Sequence, residues 1–82
     1  MIKFHFSFKP GMNELKVSDI QKVSEEIRKL ISMKGEVATI ETFRRRAYDW
    51  PNIPVPMKEG IDKIFRKYKV PKEKVWKTWQ TQ

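Results

Sequence analysis

Apolar and polar residues alternate from Ile2 to Lys9, IKFHFSFK, with Ile2, Phe4, Phe6 and Phe8 on one side and Lys3, His5, Ser7 and Lys9 on the other. A period of two predicts a strand with one covered face, and Pro10 and Gly11 end it. Phenylalanines ranked on one strand face need a cover, which the helical patterns downstream can supply. The strand also needs a neighbour for its backbone groups. Gly35 to Ala38 and Asn52 to Val55 are internal candidates, and the same strand of a second subunit is the other. Pairing across subunits would be a ribbon-helix-helix arrangement, with the polar strand face in the major groove and His5 a candidate for base contact. An intrachain partner leaves His5 exposed and inert.

Met12 to Lys16 carries no readable pattern and is expected as a loop, with Leu15 and Val17 able to dock on the core. The period then changes to three and four. Ile20, Val23, Ile27, Leu30 and Ile31 predict the main scaffold helix over 18–34, with Ser18 as its cap, Asp19 in the first turn and Gly35 at its end. Its outward residues, Lys22, Glu25, Glu26, Arg28 and Lys29, mix both signs and read as a solvated face. Thr39 caps a second helix reaching Tyr48, in which Ile40, Phe43 and Ala47 face inward and Arg44, Arg45 and Arg46 fan around the other faces. Pro51, Pro54 and Pro56 deny helix from about Trp50 to Pro56 and predict a stiff turn. A third helix, Met57 to Lys69, has Ile61, Ile64, Phe65 and Tyr68 as its stripe, expected to close the core against Ile27, Leu30, Ile31 and Phe43. Pro71 opens a last short helix, PKEKVWKTWQ, with Val75, Trp76 and Trp79 along one edge. Thr81 and Gln82 are expected to fray.

Two basic amphipathic helices joined by a stiff turn outline a helix-turn-helix. The expected fold is mainly α with a short N-terminal β-strand, a helix-turn-helix or winged-helix-like small domain. Its parts are a strand at 1–10, a helical core at 18–70, and a short C-terminal helix and tail at 71–82.

The stretch TIETFRR from Thr39, the prolines Pro54 and Pro56, and Lys58-Glu59-Gly60 together resemble the recognition helix and wing entry of lambdoid-phage excisionases. Those are small winged-helix proteins, and the likeness covers about a quarter of the chain. It implies that Glu41, Arg44 and Arg45 read the major groove and that the segment around Gly60 is the wing. A broader likeness covers the flanks: IRKLISMKGEVATIETF is similar to the first two helices of winged-helix and phage-repressor domains, and KYKVPKEKVW to the end of repressor-type domains. The two likenesses place the second helix of the motif differently, so which helix reads DNA stays open.

Charge sharpens this picture. The chain carries a formal net charge of +8, and nearly all of the excess lies after Thr42, where 11 Lys and Arg face 4 Asp and Glu. A polyanion partner is the natural reading, nucleic acid first; a solvated cationic surface is the bland one. Arg44 to Arg46 is the sharpest cluster, because guanidinium presents a planar fork to phosphates and guanine edges alike. Some of the three are expected to pair with Glu36, Glu41 or Asp49 instead. Lys58, Lys63, Arg66, Lys67 and Lys69 complete the candidate nucleic-acid-binding set with Glu41, Arg44, Arg45 and Arg46.

With 82 residues the chain is one domain with one modest core. It has no cysteine and one histidine, so neither disulfides nor a multi-histidine metal site is expected. No membrane span or signal peptide is readable, and the expected location is the cytoplasm, nucleoid-associated or in a host. No glycine-rich phosphate loop or nucleophile motif stands out, so neither catalysis nor a cofactor is expected. The leading functional expectation is a sequence-preferring binder of double-stranded DNA, monomeric or homodimeric, acting in transcription regulation or as an accessory factor in DNA recombination, with a viral or mobile-element setting in view. The alternative is a protein-binding module, such as a viral inhibitor or an accessory subunit of a polymerase complex, with Trp79 or the N-terminal Phe strand as anchors. Single-stranded nucleic acid is a third option, resting on the aromatic and lysine residues of the last segment.

Overall fold

A computed structural model describes residues 2–82. The elements run β1 (Lys3–Ser7), α1 (Lys9–Asn13), α2 (Val17–Met33), α3 (Ile40–Tyr48), β2 (Trp50–Pro51), α4 (Val55–Lys67), α5 (Lys72–Val75) and β3 (Lys77–Thr81). The chain is thus mainly helical with a short N-terminal strand, a small winged-helix-like domain whose helices carry a three-stranded antiparallel sheet.

β1 is the central strand, ordered β2-β1-β3. It pairs His5 and Phe6 with Pro51 and Trp50 on one side, and runs the full register from Lys3 opposite Thr81 to Ser7 opposite Lys77 on the other. One neighbour lies just before the Asn52 to Val55 candidate, while β3 is one the pattern does not suggest, and Gly35 to Ala38 is not a strand. The prolyl stretch is less a plain turn than a two-residue strand followed by Asn52, whose φ of 51° reverses the chain and whose N–H bonds the Phe4 carbonyl at 2.8 Å. The C-terminal helix expected over PKEKVWKTWQ stops after one turn at Val75, and the tail is an ordered strand. Both backbone sides of β1 are used within the chain, so the ribbon-helix-helix arrangement between subunits does not arise.

The strand ends where Pro10 and Gly11 say it should, but the segment after it is a short helix, with Pro10 in its first turn. Phe8 is its N-cap residue and fully buried, tilted against Phe43 and Phe65. Gly11 faces the Phe65 ring and the Val75 backbone so closely that a Cβ would lie 3.0 and 3.1 Å from them. α1 thus rests so close to α4 and α5 that a side chain here would press on both.

α2 begins at Val17 rather than at Ser18, with Lys16 as N-cap and no side-chain cap, and buries Val23, Ile27 and Ile31. Gly35, at φ 90°, closes it in a Schellman turn, with the Glu36 N–H on the Ile31 carbonyl and the Gly35 N–H on that of Ser32. Thr39 caps α3 as expected, its Oγ1 accepting from the Thr42 N–H at 3.1 Å. α4 starts two residues before Met57, with Pro56 in its first turn, and buries Met57, Ile61, Ile64 and Phe65. The stretch around Gly60, which the excisionase resemblance makes a wing, is the interior of α4. Gly60 faces α2, where a Cβ would meet Leu30 Cδ2 at 2.7 Å. Helices α3 and α4 both pack on α2. The core they form with Phe8, Trp50, Val70 and Val75 matches the expected stripe, with Leu30 and Tyr68 at its margin.

Candidate nucleic-acid interface

Three adjacent arginines on a helix cannot share one environment, since each step turns about 100°. Thr42, Phe43 and Ala47 point α3 into the core, and Arg46 lies next to that face. Its Nη2 donates to Glu36 Oε1 at 3.0 Å and its guanidinium carbon sits 4.9 Å from the buried Trp50 ring. Arg44 and Arg45 emerge on the opposite arc with Glu41, all three exposed and with no described ion pair or side-chain hydrogen bond. Arg46 is thus a framework residue, as the expected pairing with Glu36 foresees, and does not belong with its two neighbours in a binding set.

The lysines divide in the same way. Lys58 lies half-buried over the Trp76 and Phe6 rings, at 5.0 and 5.8 Å from their centroids, and closes the junction of α4 with the sheet. Lys67 is bonded to Glu26 of α2, whose other oxygen accepts from the Tyr68 hydroxyl at 2.8 Å. The Lys67 ammonium holds the Glu26 carboxyl below its ordinary range, while the bond to Glu26 raises the Tyr68 phenol. Lys63, Arg66 and Lys69 are exposed without a described partner. Lys69 has φ 65°, the left-handed conformation at the end of a Schellman turn in which the Val70 N–H reaches the Phe65 carbonyl.

The nine candidates do not form one patch. Glu41, Arg44 and Arg45 belong to α3, and Arg44 lines a groove against the Ile20 to Arg28 side of α2. Lys67 and Lys69 border a separate depression with Lys16, Glu14 and Asp19, at the end of α4. Sequence reasoning passed over Lys9, Arg28 and Tyr48, which meet Arg44 at the α3 groove. Ile20 and Ile40, read as core, stand 39% and 55% exposed there. The one legible signal was that the two isoleucines sit at the edges of their helical stripes.

The residues proposed as protein anchors are largely committed internally. His5 Nδ1 lies 2.6 Å from Asp49 Oδ1 and Nε2 lies 2.8 Å from Thr81 Oγ1, while Trp79 stacks on the imidazole at 5.4 Å. This Asp–His–Thr chain ties the end of α3 to β1 and β3, so His5 is neither an inert exposed residue nor free to read bases. Phe8 is buried and Phe6 half-buried, leaving Ile2 and Phe4 as the exposed apolar end of the strand.

Among the described residues no helix is long and apolar enough to cross a membrane. Comparisons of the chain with protein-family models, curated proteins and solved structures find no match.

Proposed function

We propose that this protein binds double-stranded DNA with α3 as the element entering the major groove, and that it serves as a regulator or an accessory factor in recombination. The observation that carries the reading is the division of the arginine run. Arg46 is spent on Glu36 and Trp50, whereas Arg44 and Arg45 stand exposed beside Glu41 with no described partner. Cations that stabilise nothing inside the molecule are what an external polyanion requires. α3 has 9 residues, and an α-helix with its side chains is about 10–12 Å across, which the major groove, roughly 12 Å wide, admits. Lys63 and Arg66, exposed on α4 without a described partner, would hold phosphates, in keeping with the net charge of +8.

Binding to a labelled random duplex across a salt series tests this, with the Arg44→Ala/Arg45→Ala double variant alongside. A steep loss of affinity with salt, flattened in the variant, is expected. Absence of binding at low salt would remove the function, whatever the likeness of the fold.

A further inference from the structure

α1, α2 and α3 enclose a groove of about 400 Å³. Met12 and Phe43 are buried at its base, and the exposed Ile20 and Ile40 give it apolar walls from α2 and α3. Three cations line it, Lys9, Arg28 and Arg44, against the single acid Glu25. Two of the three are already held: Arg28 Nε donates to the Ala38 carbonyl at 3.0 Å, and Lys9 Nζ lies 5.3 Å from the centroid of the Tyr48 ring. Positioned charges around an apolar surface lose little further freedom when a ligand arrives.

We propose that this groove receives a short acidic amphipathic helix of another protein, its apolar side chains lying between Ile20 and Ile40 and its carboxylates meeting Lys9, Arg28 and Arg44. The cleft between two helices accepts the ridge of a third. Charge complementarity selects the occupant. A second copy of the chain would bring another +8 to a face that is itself cationic. A duplex would satisfy the cations but offers only scattered thymine methyl groups, not a continuous apolar ridge, to bury against the isoleucines. The inference stands apart from the DNA reading, although Arg44 is common to both.

The test measures fluorescence anisotropy of a labelled designed peptide with Leu at i, i+3, i+4 and i+7 and Glu between, beside a scrambled peptide and one with Lys for Glu. Saturable binding of the Glu peptide is expected, at least tenfold tighter than either control, with amide shifts in the NMR spectrum confined to α1, α2 and α3. Ile20→Glu and, as a second variant on the half-exposed rim, Lys9→Glu should each weaken the peptide at least fivefold with unchanged melting. Both should retain duplex binding, while Arg45→Ala should lose duplex binding and retain the peptide. Equal affinity for the controls, no saturable binding, or indifference to both variants would overturn the assignment.

Discussion

Arg46 Nη2 meets Glu36 Oε1 at 3.0 Å, one oxygen to one nitrogen, so the remaining Glu36 oxygen and the Arg46 Nε are enclosed without a described partner. The contact fastens α3 to the loop that follows α2, and stacking on Trp50 extends it to β2. Replacing Arg46 with alanine leaves Glu36 uncompensated and exposes Trp50. A loss of about 1–2 kcal/mol in urea unfolding is expected, discounted because both side chains are partly exposed. Arg44→Ala and Arg45→Ala should stay within about 0.5 kcal/mol. Three equal losses would contradict the division of the run.

Lys69 occupies a left-handed position that glycine fills without strain. Lys69→Gly should therefore stabilise the fold by about 1 kcal/mol. If Lys69 also holds a phosphate, the same change should lower the salt slope of duplex binding by about 1. Greater stability with weaker binding would mark a residue kept for its charge; lower stability would refute the conformational argument.

A methyl group at Gly11 would press within 3.0 Å of the buried Phe65 ring and 3.1 Å of the Val75 backbone, so a neighbour must give way. Gly11→Ala should cost about 1–3 kcal/mol by overpacking, despite the better helix propensity of alanine. A thermal melt at or above that of the parent would show that α1 moves away freely.

The Lys67 ammonium lowers the Glu26 carboxyl from its ordinary 4.5. A depressed carboxyl contributes stability above its unfolded value and loses it as pH falls through the folded one. Stability should thus decline below about pH 4.5, and Glu26→Gln should make that decline shallower. Tyr68 has the opposite sign: its raised phenol favours the fold below pH 10, its ordinary value, and the contribution fades as pH climbs beyond it. An acid titration of unfolding free energy unchanged by Glu26→Gln would dismiss the linkage.

Removing residues 77–82 strips one whole side of the central strand and the Thr81 and Trp79 contacts of His5. The truncated chain should melt far below the parent or fail to fold, with loss of slow-exchanging amides across Lys3–Ser7. A parent-like melt would show that β1 does not depend on this segment for its place in the fold.

Local physics made part of this molecule legible in its sequence. The alternation of Phe4, Phe6 and Phe8 announced a strand, Thr39 capped the helix it was expected to cap, and Gly35 closed α2, because alternation, caps and left-handed turns act within a few residues. The stripes of α2 and α4 likewise named most of the core before any packing was known. Element edges slipped by a residue or two, at Val17 and Val55, where no side-chain cap fixes the boundary.

Pairing over distance was decided only in three dimensions. Val75, Trp76 and Trp79 fit a helical edge as well as they fit a turn followed by a strand. The choice fell to β1, at the other end of the chain, which needed hydrogen bonds on both sides. The β-forming run Trp76, Thr78, Trp79 and Thr81 was the signal that could have shown it. In the same way the sequence determined that Arg44, Arg45 and Arg46 are charged and on different faces. Only the tertiary structure decided which is tied to Glu36, which lines the groove with Ile20, and which faces solvent alone, because burial depends on where neighbouring helices come to rest.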